Sequence, residues 1–258
     1  MRFALINGHR QEAQPGLRGT CTACGEPIVA RCGNVRIKHW AHLGKLVCDP
    51  WWEETPWHRD WKALFPIEWQ EFVQSAPSGE KHIADVRTER GYVLEFQHSP
   101  LGPQERQARE DFYQRMVWVI DGTRRSRDKS QLLRAVEEAA TISSEIRRLR
   151  GFLDECALLR DWKGSHAQVV FDFGEDVLWF LFPVNGRVYI ATFPRVGFIE
   201  FYRAGSGELA QFYQRLAQAI TADLESLRAQ ALLDRRQALV ANGFQQYRTQ
   251  YQRYRRRF

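Results

Sequence analysis

The segment Ile83-Ala84-Asp85-Val86, followed after Glu89-Arg90-Gly91 by Val93-Leu94-Glu95-Phe96-Gln97, decides how this chain is read. Each run mixes β-branched, aromatic and aliphatic residues, and a glycine-bearing turn separates them. His82 to Arg87 and Tyr92 to Gln97 therefore read as a hairpin. Side chains two apart on a strand share a face, so Glu95 and Gln97 point one way while Leu94 and Phe96 point into the core. Asp85 lies across the turn and is expected to converge with Glu95 on that polar face. Two desolvated carboxylates repel each other unless a cation neutralises them. Magnesium, or manganese in its place, takes hard oxygen ligands and keeps waters that can be activated for attack on phosphorus.

Working outward, Thr55-Pro56 reads as the start of a helix, with Thr55 at the N-cap and Pro56 in the first position. Trp57, Trp61, Leu64 and Phe65 recur at helical spacing, and Pro66 ends the run. On the same helix Glu54, His58 and Lys62 are four residues apart and line one face. Such a row can offer an acid, a proton-transfer group and a phosphate contact. Ile67 to Val73 reads as a strand. Downstream, Gln104 to Met116 is an amphipathic helix and Val117 to Ile120 a buried strand. A strand, helix, strand succession implies a parallel crossover in a mixed sheet, and hence an α/β fold.

Three regions follow from texture: 1–52, 53–161 and 162–258. Ser130 to about Leu159 repeats apolar residues at helical spacing and predicts one long helix. His166–Phe173, Val177–Pro183, Val188–Phe193 and Phe198–Arg203 predict a four-stranded meander. Glu208 to Ala241 predicts another long helix. Past it, Tyr247, Tyr251, Tyr254 and Phe258 alternate with Arg248, Arg253, Arg255, Arg256 and Arg257, a pattern suited either to packing or to stacking on bases beside neutralised phosphates.

The first region holds four of the five cysteines. Cys21-x-x-Cys24 followed by Gly25 is a knuckle that points two thiolates at one centre. Cys21, Cys24, His42 and Cys48 are the expected ligands of a structural zinc ion. His39 is an alternative histidine ligand or a residue that orients the site, and Cys32, inside an expected strand (Val29 to Lys38), is a weaker choice. An odd cysteine number with a knuckle points to an intracellular, cytoplasmic chain. No apolar run follows a charged start, and none approaches a membrane span. The net charge of +6 favours a polyanionic partner such as DNA.

Taken in order, Cys21-x-x-Cys24, His39-Trp40-Ala41-His42, Cys48, Glu54-x-x-x-His58, Ala84-Asp85-Val86, Glu95-Phe96-Gln97-His98-Ser99-Pro100 and Val117-Trp118-Val119-Ile120-Asp121 resemble the CoiA-like competence protein family over roughly the first half of the chain. The resemblance implies a zinc ribbon-like N-terminus, a PD-(D/E)XK restriction-endonuclease-like core, and a role in natural transformation, recombination or defence, with DNA-processing proteins as possible partners. By the same resemblance Asp85 and Glu95 are the metal-binding acids, and Glu54 and His58 are the helix-borne members of a catalytic set. Gln97 stands where many such nucleases carry lysine. An amide takes no proton and carries no charge, but it can orient water or substrate. The implied activity is magnesium-dependent DNA hydrolysis. The alternative is a catalytically inactive accessory protein that binds or helps process DNA.

Overall fold

A computed structural model describes residues 1–44, 54–76, 79–151 and 153–255, with side chains beyond position 241 described only at 245, 246 and 248. Two sheets organise it. The first is antiparallel and joins β1 (Phe3–Ile6), β2 (His9–Glu12), β3 (Arg18–Thr20), β4 (Pro27–Arg31) and β5 (His39–His42) in the order β2-β1-β3-β4-β5. Its core is small: Met1, Ala4, Ala13, Cys21, Ala23, Ile28 and Trp40, closed by Ile83 from the larger sheet.

Helix α1 (Pro56–Ala63) follows, and the Thr55 hydroxyl accepts from His58 N as an N-cap should. The segment expected to be a strand from Ile67 begins instead as a single 3-10 turn, Ile67–Trp69, and only then extends as β6 (Gln70–Ser75). Pro66 explains the delay, because its fixed φ favours a turn over immediate strand entry. The order continues with β7 (Lys81–Arg87), β8 (Val93–Gln97), α2 (Pro103–Tyr113) and β9 (Met116–Asp121). β8 and β9 are parallel, as the strand, helix, strand reading requires.

The long helix expected over Ser130–Leu159 does not form. The chain makes α3 (Asp128–Glu137), a short hairpin of β10 (Ala140–Thr141) and β11 (Ile146–Arg148), and α4 (Ala157–Trp162). The break falls at Thr141-Ile142-Ser143-Ser144, four residues of weak helix propensity, and β11 covers the otherwise open edge of β14 (Arg187–Pro194). Three of the four meander strands are present: β12 (Gln168–Asp172), β13 (Val177–Val184) and β14. The fourth, Phe198–Arg203, is helical within α5 (Arg195–Ala204). Phe198 and Tyr202, four apart, bury one helical stripe, and Gly205 closes the helix at a φ of 77°. α6 (Leu209–Arg255) then runs past Ala241.

All nine strands from β6 to β14 share one sheet, ordered β10-β11-β14-β13-β12-β9-β8-β7-β6. β12 pairs parallel to β9, so residues on both sides of position 161 belong to the same sheet. One face packs on α1, α5 and the first turns of α6, through Trp61, Phe65, Phe198 and Phe212. The other packs on α2, α3 and α4, through Tyr113, Leu132, Leu158 and Trp162. This is a three-layer α/β/α arrangement with a mixed sheet, a smaller antiparallel sheet in front and a long C-terminal helix. Among the described residues, no helix is long and apolar enough to cross a membrane.

Candidate functional site

The thiols of Cys21 and Cys24 and the imidazole of His42 bring one ligand atom each within 4.8 Å of one another, and they are the one such group of three His, Cys, Asp or Glu among the described residues. The knuckle forms because Gly25 adopts a φ of 77°, which lets its amide turn back to Cys21 O at 3.0 Å. β5 supplies the third member. His42 stands opposite Ile28 on the inner face of the β4–β5 hairpin, whereas His39 stands opposite Arg31 on the outer face. Spacing alone left the two histidines open, and strand register selects His42. His39 instead places Nδ1 2.8 Å from Ile37 O. Burial raises the Cys21 thiol and lowers His42 from their ordinary values. Cys24 Sγ lies 3.3 Å from His42 Nε2. This group can hold a metal ion. Cys48, the fourth expected ligand, lies outside the described residues, and Cys32 is outside the group.

The second centre sits where β7 departs from its neighbours. Its rungs with β8 are Val86–Leu94 and Arg87–Val93 and go no further. With β6, the rungs step from Gln70–Val86 to Phe72–Ala84, and Glu71 between them has a φ of 47°. Asp85 therefore sits at a gap on both edges. Its Oδ2 accepts from Phe96 N at 2.8 Å, a side chain standing in for a missing ladder bond. Its Oδ1 lies 2.8 Å from His58 Nε2 of α1. Burial pushes the Asp85 carboxyl up, but His58, Lys62 and the Phe96 amide outweigh it and hold it below the usual range.

Lys62 is the buried hub beneath this pair. It is 2% exposed and its Nζ lies 2.5 Å from Glu54 Oε1 and 3.0 Å from Glu71 Oε1. It is thus an internal cation and not the phosphate contact its place in the sequence suggests. Glu71 also accepts from the backbone amides of Arg2 and Phe3, at 2.8 and 3.2 Å, which fastens the front sheet to the main one. Glu54 is shared between Lys62 and Arg59, the latter at 2.7 Å. Burial raises the Glu54 carboxyl, but the two cations prevail and bring it to about 2.

A carboxyl depressed in the folded state stabilises the fold above its ordinary value and stops doing so as pH falls through its folded one. For Glu54 the window runs from 4.5 down to about 2, and the shift corresponds to about 3 kcal/mol. Urea unfolding of the wild type should lose stability across that window more steeply than Glu54→Gln does. Equal slopes would exclude the contribution.

Glu95 does not join Asp85 in the way the hairpin reading expects. Its Oε2 faces Arg109 Nη1 of α2 at 3.3 Å, and α2 packs on the opposite face of the sheet from α1. The alternation along β8 does hold, with Leu94 and Phe96 in the α1 core and Val93 in the α2 core. The side of Asp85 is what differs: the gap around it turns its carboxylate to α1. Gln97 donates through Nε2 to Ser99 O at 2.7 Å.

Sequence reading passed over two further polar centres at the ends of the parallel strands. His98 Nδ1 lies 2.7 Å from Asp121 Oδ2, and Asp121 Oδ1 accepts from both the amide and the hydroxyl of Thr123. Asp172, fully buried, accepts from the indoles of Trp57 and Trp61, each at 2.8 Å, and pairs with Arg195. An aspartate closing an apolar strand, at Ile120-Asp121 and Phe171-Asp172, was the available signal. Between these strand ends Gly122 has no room for a side chain, since a Cβ would stand 2.4 Å from the Phe173 ring.

Comparison with protein-family profiles, with curated proteins and with solved structures finds no match.

Proposed function

We propose that the chain is a metal-dependent nuclease of the PD-(D/E)XK kind that hydrolyses DNA phosphodiesters, with a structural zinc ion in its front module. The observation that carries this reading is Asp85 at the gap beside β7, held 2.8 Å from His58 of a helix that also brings the buried Lys62, which in turn holds Glu54 from just before the helix N-cap. The spacing Asp85, then Glu95-x-Gln97, on adjacent strands and the chain's positive charge support it. Cys21, Cys24 and His42 suit zinc because soft thiolates and imidazole are its preferred ligands, and Cys48 would complete a closed tetrahedral set.

Asp85 and Glu95 are carboxylates of the kind magnesium or manganese takes, but they face opposite sides of the sheet and, as they stand, do not converge on one ion. Asp85 already faces the His58 imidazole and Glu95 the Arg109 guanidinium, so a metal held by either would take the place of a partner within the protein. When bound, the metal supplies a water of lowered pKa and neutralises charge developing on the phosphate. The chain's own contribution is positional. His58 can take or return a proton at Nε2, the atom that faces Asp85, and Lys62 fixes Glu54 beside it. Gln97 spends an N–H on Ser99 O, which leaves its amide oxygen able to accept from water or substrate.

The test is Asp85→Asn, which keeps volume and removes charge. It should lower the magnesium-dependent cleavage rate by about 100- to 1,000-fold, read at a temperature where the variant, which also removes a charge facing the buried Lys62, is still folded. A rate within about threefold of wild type would sink the assignment of Asp85. A second reading, a DNA-binding accessory protein without turnover, is favoured by one observation: each carboxylate already has a partner within the protein, His58 for Asp85 and Arg109 for Glu95, on opposite faces of the sheet.

A further inference from the structure

The α1 face of the main sheet carries a second histidine–aspartate pair, His98 with Asp121, that the chemistry at Asp85 leaves idle. β8, β9 and β12 run parallel and end at one edge. In open α/β sheets, ligands sit outside the carboxyl ends of such strands. Phe96 and Val119 are register partners in the α1 core. Alternation puts Asp121, two past Val119, on the same side, and its 2.7 Å contact with His98 Nδ1 brings the imidazole there. Asp85 is tied to the Phe96 amide. The two pairs thus stand at Phe96 and two residues beyond it along the chain.

Asp121 holds this ring in one state. The carboxylate is buried, and its Oδ1 accepts from the amide and the hydroxyl of Thr123, which leaves Oδ2 for His98. An accepting carboxylate makes Nδ1 the N–H of the neutral imidazole and leaves a lone pair on Nε2. The backbone around the pair is braced. Arg124 Nη1 donates to His98 O at 3.1 Å, and Gly122 N donates to Asp172 O at 2.8 Å. The two histidines differ in what Nε2 faces. In His58 it lies 2.8 Å from Asp85. In His98 it has no partner among the described residues, and the side chain is 33% exposed against 17% for His58. A histidine bonded to a buried aspartate is often only a structural tie. Here the tie fixes one tautomer and leaves the other nitrogen open at the edge where a ligand would lie.

We infer that His98, oriented by Asp121, is the base that takes the proton of the attacking water in phosphodiester hydrolysis. The inference rests on the nuclease reading and, of the two histidines, makes His98 the proton acceptor. As the water oxygen bonds to phosphorus, its O–H bond breaks and the proton passes to His98 Nε2. The P–O bond to the leaving nucleotide opens with its electron pair, and the leaving oxygen takes a proton from solvent. The products are a phosphate monoester and a hydroxyl. The imidazolium, paired with Asp121, then gives its proton to solvent.

The experiment compares the full-length wild type with His98→Ala, His98→Gln and Asp121→Asn, with melting temperature followed for each. His98→Ala should lower the rate of metal-dependent DNA cleavage by about 100-fold or more. Its affinity for a short labelled duplex, measured without divalent metal, should stay within about threefold of wild type. Added imidazole should restore about tenfold or more of the lost rate in His98→Ala, and none in His98→Gln, where the side chain fills the space. A structural tie predicts no such rescue. Asp121→Asn should also slow cleavage, since an amide that turns its NH2 to the ring favours the other tautomer. Nitrogen-15 spectra of the wild type, with His98 assigned through His98→Gln, should show Nδ1 protonated and Nε2 bare. If His98→Ala does not fold, His98→Gln must show the same loss of rate with its melting temperature and duplex affinity kept. Rates within about threefold of wild type in the His98 variants, a loss that imidazole does not rescue, or a wild-type ring protonated at Nε2 alone would overturn the inference and leave the nuclease reading in place. A wild type that cleaves no DNA would remove both.

Discussion

We expect the Cys21–Cys24–His42 group to hold a metal ion whose removal unfolds the front sheet while the nine-stranded sheet stays folded. The reason is the composition of that module's core. Three of its seven buried members from the module itself are alanines, and only Phe3, Ile28 and Trp40 offer large apolar surface that is fully buried there. A segment of this size rarely stabilises itself by burial alone. Structural zinc contributes about 10 kcal/mol or more of apparent binding energy in small zinc-finger peptides, and that energy is folding energy because the site does not exist in the unfolded chain. Freshly purified protein should therefore carry about one zinc per chain. Cys21→Ser should lose that zinc together with amide protection across β1 to β5, while protection in β8, β9 and β12 persists. Metal analysis finding no zinc in an unchelated preparation would contradict this, and so would a metal-free chain with full protection in the front sheet.

The second large effect concerns Lys62. Burial opposes its charge, yet Glu71, Asp85 and Glu54 together raise its pKa above the ordinary lysine value. Burial likewise raises Glu71, and Lys62 more than offsets it, leaving that carboxyl depressed. Removing one member of a buried ion cluster leaves the others uncompensated, at a cost of about 3–5 kcal/mol. Lys62→Met should accordingly melt about 10 °C lower than wild type. Glu71→Gln should be destabilising too. The pair of changes should cost less than their sum, because the second removes a charge already stranded by the first. A Lys62→Met variant within about 1 kcal/mol of wild type would show that the cluster is solvated in a way the geometry excludes.

Local signals were legible and long-range ones were not. Thr55-Pro56 marks a helix start because capping is decided within four residues, and the structure has that cap. The hairpin of β7 and β8 and the parallel step to β9 follow from alternation and from the intervening helix. The metal group was half legible: the knuckle is written in Cys21, Cys24 and Gly25, but the choice between His39 and His42 needed the register of β5 on β4. Lys62 read as a surface phosphate contact because its partner Glu71 reaches it only through a positive-φ residue in β6. The same irregularity turned Asp85 toward α1 and away from the face of Glu95. Thr141 to Ser144 broke a helix that the apolar period alone predicted, since an open strand edge was available to pair. For Tyr247, Tyr251, Tyr254 and Phe258 the helix is present through Arg255, and their side chains lie outside the described residues.

The most direct measurement is hydrolysis of DNA by the purified, zinc-loaded wild-type chain. Linear duplex, closed circular and single-stranded DNA are each incubated with magnesium, with manganese and with neither. Cleavage of at least one form that requires added magnesium or manganese is the expected result. Intact DNA of every form under every condition, from a chain that is folded and carries its zinc, would contradict the nuclease assignment.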